Sequence, residues 1–103
     1  MNFDEVESII KLFESKAPSK EYLYNHGIIE SDGMRYTGVS LFDSISKNAG
    51  KVASLDIRGV PDCNKFSIGL HWNWNELRFI NNPEVLRDLI DKHVVVPKLQ
   101  ITH

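Results

Sequence analysis

The sequence predicts an α+β fold: an antiparallel sheet of about four to five strands, with N-terminal helices and one C-terminal helix packed on one face. Three observations predict it. Apolar residues recur at helical spacing over residues 2–16 and again over 82–93. Residues 53–58 and 66–74 instead alternate apolar and polar side chains with the period of a half-buried strand. The order is helix, strands, helix, which favours helices laid on the apolar side of an antiparallel sheet. At 103 residues the chain has the size of one domain, read as spanning 1–103, with 42% hydrophobic and 25% charged residues to build its core and surface.

The first helix starts at Asn2, a capping residue, and Glu5 three positions later completes a capping box. Phe3, Val6, Ile9, Ile10 and Phe13 make its apolar stripe, while Asp4, Glu7, Lys11 and Glu14 lie elsewhere on its surface. Ala17-Pro18 ends it, because a residue before proline avoids helical geometry. Ser19 to His26 reads as a short second helix with Tyr22 and Leu23 inward, closed by Gly27 as a left-handed cap.

Ile28-Ile29-Glu30 reads as a short strand, Asp32-Gly33 as a two-residue hairpin turn, and Met34 to Leu41 as the returning strand, weakened by Gly38. Phe42 to Asn48 fits a short helix or a loop. The two alternating runs that follow, joined through Pro61-Asp62-Cys63-Asn64, form an antiparallel hairpin with one buried and one wet face. Glu76 to Ile80 can add a third strand. Asn82-Pro83 then opens the C-terminal helix, with Val85, Leu86, Leu89 and Ile90 as its stripe. Pro97 breaks the chain that leaves it, and Lys98 to Ile101 has the character of an edge strand or tail.

Chemistry-bearing motifs are sparse. Cys63 is the one cysteine, so neither an intramolecular disulfide nor a cysteine pair for zinc is expected. His26, His71, His93 and His103 are scattered, with no helical i, i+4 metal pair, so no metal and no cofactor is expected. Phosphate loops, dinucleotide fingerprints and nucleophile elbows do not occur. His71 stands out. If the central hairpin pairs symmetrically about its loop, His71 faces Ser54 and lies diagonally from Asp56, the grouping that acid–base and nucleophilic sites use. Trp72 and Trp74 share one face, filling the core, anchoring an interface or, as the weaker form because no basic residues interleave with them, stacking nucleobases.

Net charge is −2 and unevenly spread: residues 1–34 carry about −4 and the remainder about +2. This weighs against nucleic acid as a partner. The polar start of the chain and the lack of a long apolar run favour the cytoplasm over a membrane. The first functional expectation is therefore a non-enzymatic binding protein: a small bacterial immunity or inhibitor protein that blocks a cationic toxin, such as a nuclease. Asp4, Glu7, Glu14, Glu21, Glu30 and Asp32 would form its acidic partner-binding surface, and it would act as a monomer or weak homodimer. The alternatives are a small enzyme using His71, Asp56 and Arg58 on the wet sheet face, or a subunit that assembles through an edge strand.

Overall fold

A computed structural model describes residues 1–27, 29–31, 34–45, 50–60, 63–72, 75–76 and 79–94, with the backbone alone described at 29–31, 34–35 and 75–76. Two helices, α1 (Phe3–Ser15) and α2 (Pro83–His93), cover one face of an antiparallel sheet. Its strands are β1 (Leu23–Asn25), β2 (Ile29–Ser31), β3 (Met34–Phe42), β4 (Lys51–Val60), β5 (Lys65–Trp72) and β6 (Asn75–Glu76). They run in the order β1-β3-β4-β5-β6, with β2 also beside β3. The sheet is thus five strand positions wide, and the α+β class read from the sequence holds.

Both helices begin as their sequences require. The Asn2 side chain accepts from Glu5 N at 2.8 Å, and Asn2 N donates to the Glu5 carboxylate at 2.9 Å, so the capping box is complete. The Asn82 side chain accepts from Glu84 N and Val85 N ahead of Pro83. Val6, Ile9 and Phe13 of α1 meet Leu86 and Ile90 of α2 over Val39, Leu41, Leu55, Ile57, Ile68 and Leu70 of the sheet. Phe3, expected in the same stripe, is 47% exposed and instead meets the Phe66 ring edge-on at 6.2 Å.

The chain departs from expectation after α1. Ser19–His26 is not a helix: one 3₁₀ turn at Lys20–Tyr22 leads directly into β1. Leu23, Tyr24 and Asn25 pair with Leu41, Ser40 and Val39, and His26 N donates to Gly38 O at 3.0 Å. A ladder against a long strand supplies these backbone groups with partners, whereas so short an isolated helix is marginal. Gly27 does take a left-handed φ of +79°, but between β1 and β2 along the edge of the sheet. There the pairing shifts by one residue between Asn25↔Val39 and Ile29↔Tyr36, as at a glycine bulge.

β4 and β5 pair as the symmetric hairpin predicts, with Ser54 opposite His71 and Gly59 opposite Phe66. Beyond β6 the outer edge of β5 is also covered. Ile68 and Ile80 exchange backbone hydrogen bonds of 2.9 and 2.8 Å, and Met1 and Phe66 exchange another pair. Of the strand expected over Glu76–Ile80, Glu76 belongs to β6 and Ile80 bridges to Ile68, while Leu77 and Arg78 lie outside the described residues. Trp72 is half-buried at the core margin and stacks on His93 with ring centroids 4.5 Å apart. Trp74, the Asp32-Gly33 turn, residues 46–49 and the Lys98–Ile101 tail also lie outside the described residues.

Candidate active site on the open sheet face

Side chains alternate across a strand, so the residues between the core positions line the opposite face of the sheet. Register places them in three rows. Tyr24, Ser40, Ser54 and His71 are successive cross-strand partners. His26, Gly38, Asp56 and Gly69 form the next row, with His26 joined to Gly38 through its backbone. Tyr36, Arg58 and Ser67 form the third. Gly38, Ser40, Ser54 and Gly69 in these rows are buried. Tyr24, His26, Tyr36, Asp56 and Arg58 are all exposed.

The centre of the face is Asp56. Its Oδ2 lies 2.9 Å from His71 Nε2, with the two side chains 51% and 34% exposed. The pair spans β4 and β5 diagonally, as the symmetric hairpin predicted. Asp56 has glycine on both sides, Gly38 and Gly69. A Cβ at Gly38 would stand 3.3 Å from Asp56 Oδ1, 3.3 Å from His26 Cδ2 and 2.8 Å from Leu55 O. The glycine therefore makes room for the carboxylate and for the ring of His26 to lie over the strand.

His26 completes the group. Its Nε2 is 2.7 Å from the Oγ of Ser40, a hydroxyl wholly buried in the sheet. Its ring meets Tyr24 edge-on at 5.0 Å. Since His26 Cδ2 and Asp56 Oδ1 are each 3.3 Å from the same point over Gly38, they are at most twice that distance apart. Two imidazoles thus flank one carboxylate. On the far side of the face Arg58 lies 4.2 Å from the centre of the Phe79 ring, a cation–π contact.

Each fixed hydrogen bond leaves a ring nitrogen for chemistry. When His71 Nε2–H donates to Asp56, the lone pair of Nδ1 is left to accept a proton. When protonated His26 donates from Nε2 to Ser40, its Nδ1–H is left to be given away. Among the described residues no group of three His, Cys, Asp or Glu side chains is placed to hold a metal ion.

The acidic residues singled out in the sequence that are described sit on different elements. Asp4 and Glu7 are exposed on α1, and Glu14 is half-buried there. Lys11 follows Glu7 by one helical turn on the same side. Glu21 lies in the 3₁₀ turn, next to the Leu41 end of β3. Glu30 is at the opposite end of that strand, its backbone paired with Arg35, and its side chain lies outside the described residues, as does Asp32.

His26 is the site residue that sequence reasoning missed. Its signal was the Tyr24–His26 spacing of two, which puts both on one face of a strand. No helix among the described residues is long and apolar enough to cross a membrane. Comparison with protein-family models, curated proteins and solved structures finds no match, so the reading of this face rests on its own geometry.

Proposed function

We propose that this chain is a small acid–base enzyme whose site is the open face of the sheet. The observation that carries the reading is the 2.9 Å contact between Asp56 and His71, set where both side chains reach solvent. In this reading His71 moves the proton, Asp56 orients its ring and stabilises the imidazolium, and Arg58 balances developing negative charge. His26 is the second proton-transfer group, and no cofactor is needed. The half-exposed carboxylate and its glycine surroundings support a substrate that approaches across the sheet rather than down a cleft.

The test is a panel of activated nitrophenyl compounds: a carboxylic ester, a phosphodiester and a glycoside. His71→Ala is expected to lower kcat/KM for whichever is turned over by about 10²-fold or more. Its unfolding midpoint should stay near that of the parent, because His71 lies outside the core. Undiminished turnover by a folded His71→Ala protein overturns the reading.

A second reading is favoured by a different observation. Asp4 and Glu7 on α1, and Glu84 and Asp88 on the neighbouring α2, are exposed carboxylates on the helical layer. They support an inhibitor of a cationic protein, in the specific form a bacterial immunity protein that covers a nuclease toxin in the cytoplasm. Exposed Cys63 is at ease in such a reducing compartment. For this reading Asp4→Lys/Glu7→Lys should slow association with a basic nuclease domain at least several-fold at low salt, and the difference should fade at high salt. Unchanged association rates remove the acidic layer from the account.

A further inference from the structure

We propose that the open face binds single-stranded RNA and cleaves it by attack of a ribose 2′-hydroxyl on the adjacent phosphate. This inference rests on the acid–base reading above and names its substrate. The nucleophile decides the class. The two serines beside the histidines are buried, Ser40 completely and Ser54 to 6% exposure, so neither hydroxyl is presented for attack. A substrate that carries its own hydroxyl next to the reacting centre removes that need, and RNA is such a substrate.

Displacement at phosphorus needs a base at the entering oxygen and an acid at the leaving oxygen, on opposite sides of the phosphate. His71 and His26 stand on opposite sides of Asp56 and answer to that arrangement. His71 Nδ1 takes the proton of the 2′-hydroxyl, and the Asp56 carboxylate stabilises the imidazolium that forms. The new 2′-O–P bond forms as the P–O5′ bond breaks, and protonated His26 gives its proton to the departing 5′-oxygen. The products are a 2′,3′-cyclic phosphate and a free 5′-hydroxyl. Neither water, metal nor redox partner enters the balance, and the two histidines exchange protonation states through solvent before the next turnover.

The surroundings fit a nucleic-acid strand. Tyr24, Tyr36 and Phe79 are exposed rings around the rows, and sheet-borne aromatics are the usual platforms on which unpaired bases stack. Gly38 and Gly69 flank Asp56 without side chains of their own, which lets the His26 ring and the carboxylate lie close to the sheet. Arg58, two residues from Asp56 and about 6.7 Å along the same strand, reaches the phosphate from the third row. The chain's net charge of −2 gives no long-range pull on RNA, so stacking carries the binding. With about one phosphate neutralised, affinity should fall only about 2–3-fold between 50 and 200 mM salt.

The experiment incubates the full chain with a fluorescein-labelled single-stranded RNA dodecamer of mixed sequence, and with the same sequence as DNA, in EDTA. Products are resolved by gel and mass spectrometry. The expected result is cleaved RNA ending in 2′,3′-cyclic phosphate, intact DNA, and a rate lowered by about 10²-fold or more in His71→Ala and in His26→Ala. Retention of the parent circular dichroism spectrum by both variants ties the loss to the site. Intact RNA, equal cutting of DNA, or unchanged cleavage in His26→Ala/His71→Ala overturns the proposal. If RNA stays intact while the nitrophenyl panel shows turnover that depends on His71, only the RNA assignment fails. If neither is turned over, the acid–base reading fails with it.

Discussion

Phe13→Ala should lower unfolding free energy by roughly 3–5 kcal/mol, measured by chemical denaturation with the slope held in common. Phe13 is fully buried at the end of the α1 stripe, against residues that both the sheet and α2 supply. Truncation there removes the ring's transfer free energy and leaves a cavity whose lining belongs to three elements and cannot close over it. For a domain whose whole stability is about 5–15 kcal/mol, the variant should be marginal at 37 °C. Phe3→Ala is the internal control. It removes the same side chain from the same helix, but from a position 47% exposed with a single edge-on ring contact. Its cost should be near 1 kcal/mol, the range of one aromatic pair. Equal losses at the two positions would mean that α1 is rotated from the orientation described.

The contrast between those two phenylalanines also marks how far sequence reasoning reached. Period placed both in one stripe, and period was right about the helix. It could not show that the first turn lies out beside Phe66 rather than over the core. The caps at Asn2 and Asn82 were legible because capping is local: the side chain and the amide it satisfies are within three residues. The Ser54–His71 pairing was legible because two long alternating runs about one loop leave few registers that keep both apolar sets on the same side.

The segment from Ser19 to His26 failed for a physical reason. Tyr22, Leu23 and His26 satisfy a helical stripe as readily as Leu23 and Asn25 satisfy alternation, and three residues of strand carry too little pattern to decide. The decision is made by β3, whose paired residues are 14 to 18 positions away in sequence and whose free edge binds this backbone. Reading a helix there separated His26 from Tyr24 by the wrong rotation and hid it from His71. For the same reason, acids clustered within the first 34 residues looked like one surface. Those described belong to a helix, a 3₁₀ turn and an edge strand, not to one element. Gly38, which looked like a weakness in its strand, is required where Leu55 O would stand 2.8 Å from an added methyl group.

The other glycine of the hairpin makes the sharper test. Gly59 and Phe66 are direct cross-strand partners, and the Phe66 ring lies over the glycine. A Cβ at Gly59 would sit 2.0 Å from Phe66 Cδ1 and within 2.8 Å of two more ring carbons. Gly59→Ala must therefore expel the ring from a place where it is 7% exposed and packed with the core. No small rotation relieves three such contacts, and Phe66 is also held through its backbone to Met1 by bonds of 2.8 and 2.9 Å. The expected cost is about 2–3 kcal/mol, at the upper end of overpacking effects. Phe66→Ala alone should cost about 3–5 kcal/mol. The two must not add, because the alanine at position 59 destroys the packing that truncation at 66 would remove. Gly59→Ala/Phe66→Ala should be no less stable than Phe66→Ala, giving a coupling of about 2 kcal/mol or more in a double-mutant cycle by chemical denaturation. Simple additivity would place the ring elsewhere than over Gly59. It would also shift the Gly59↔Phe66 register, and with it the diagonal on which Asp56 and His71 meet.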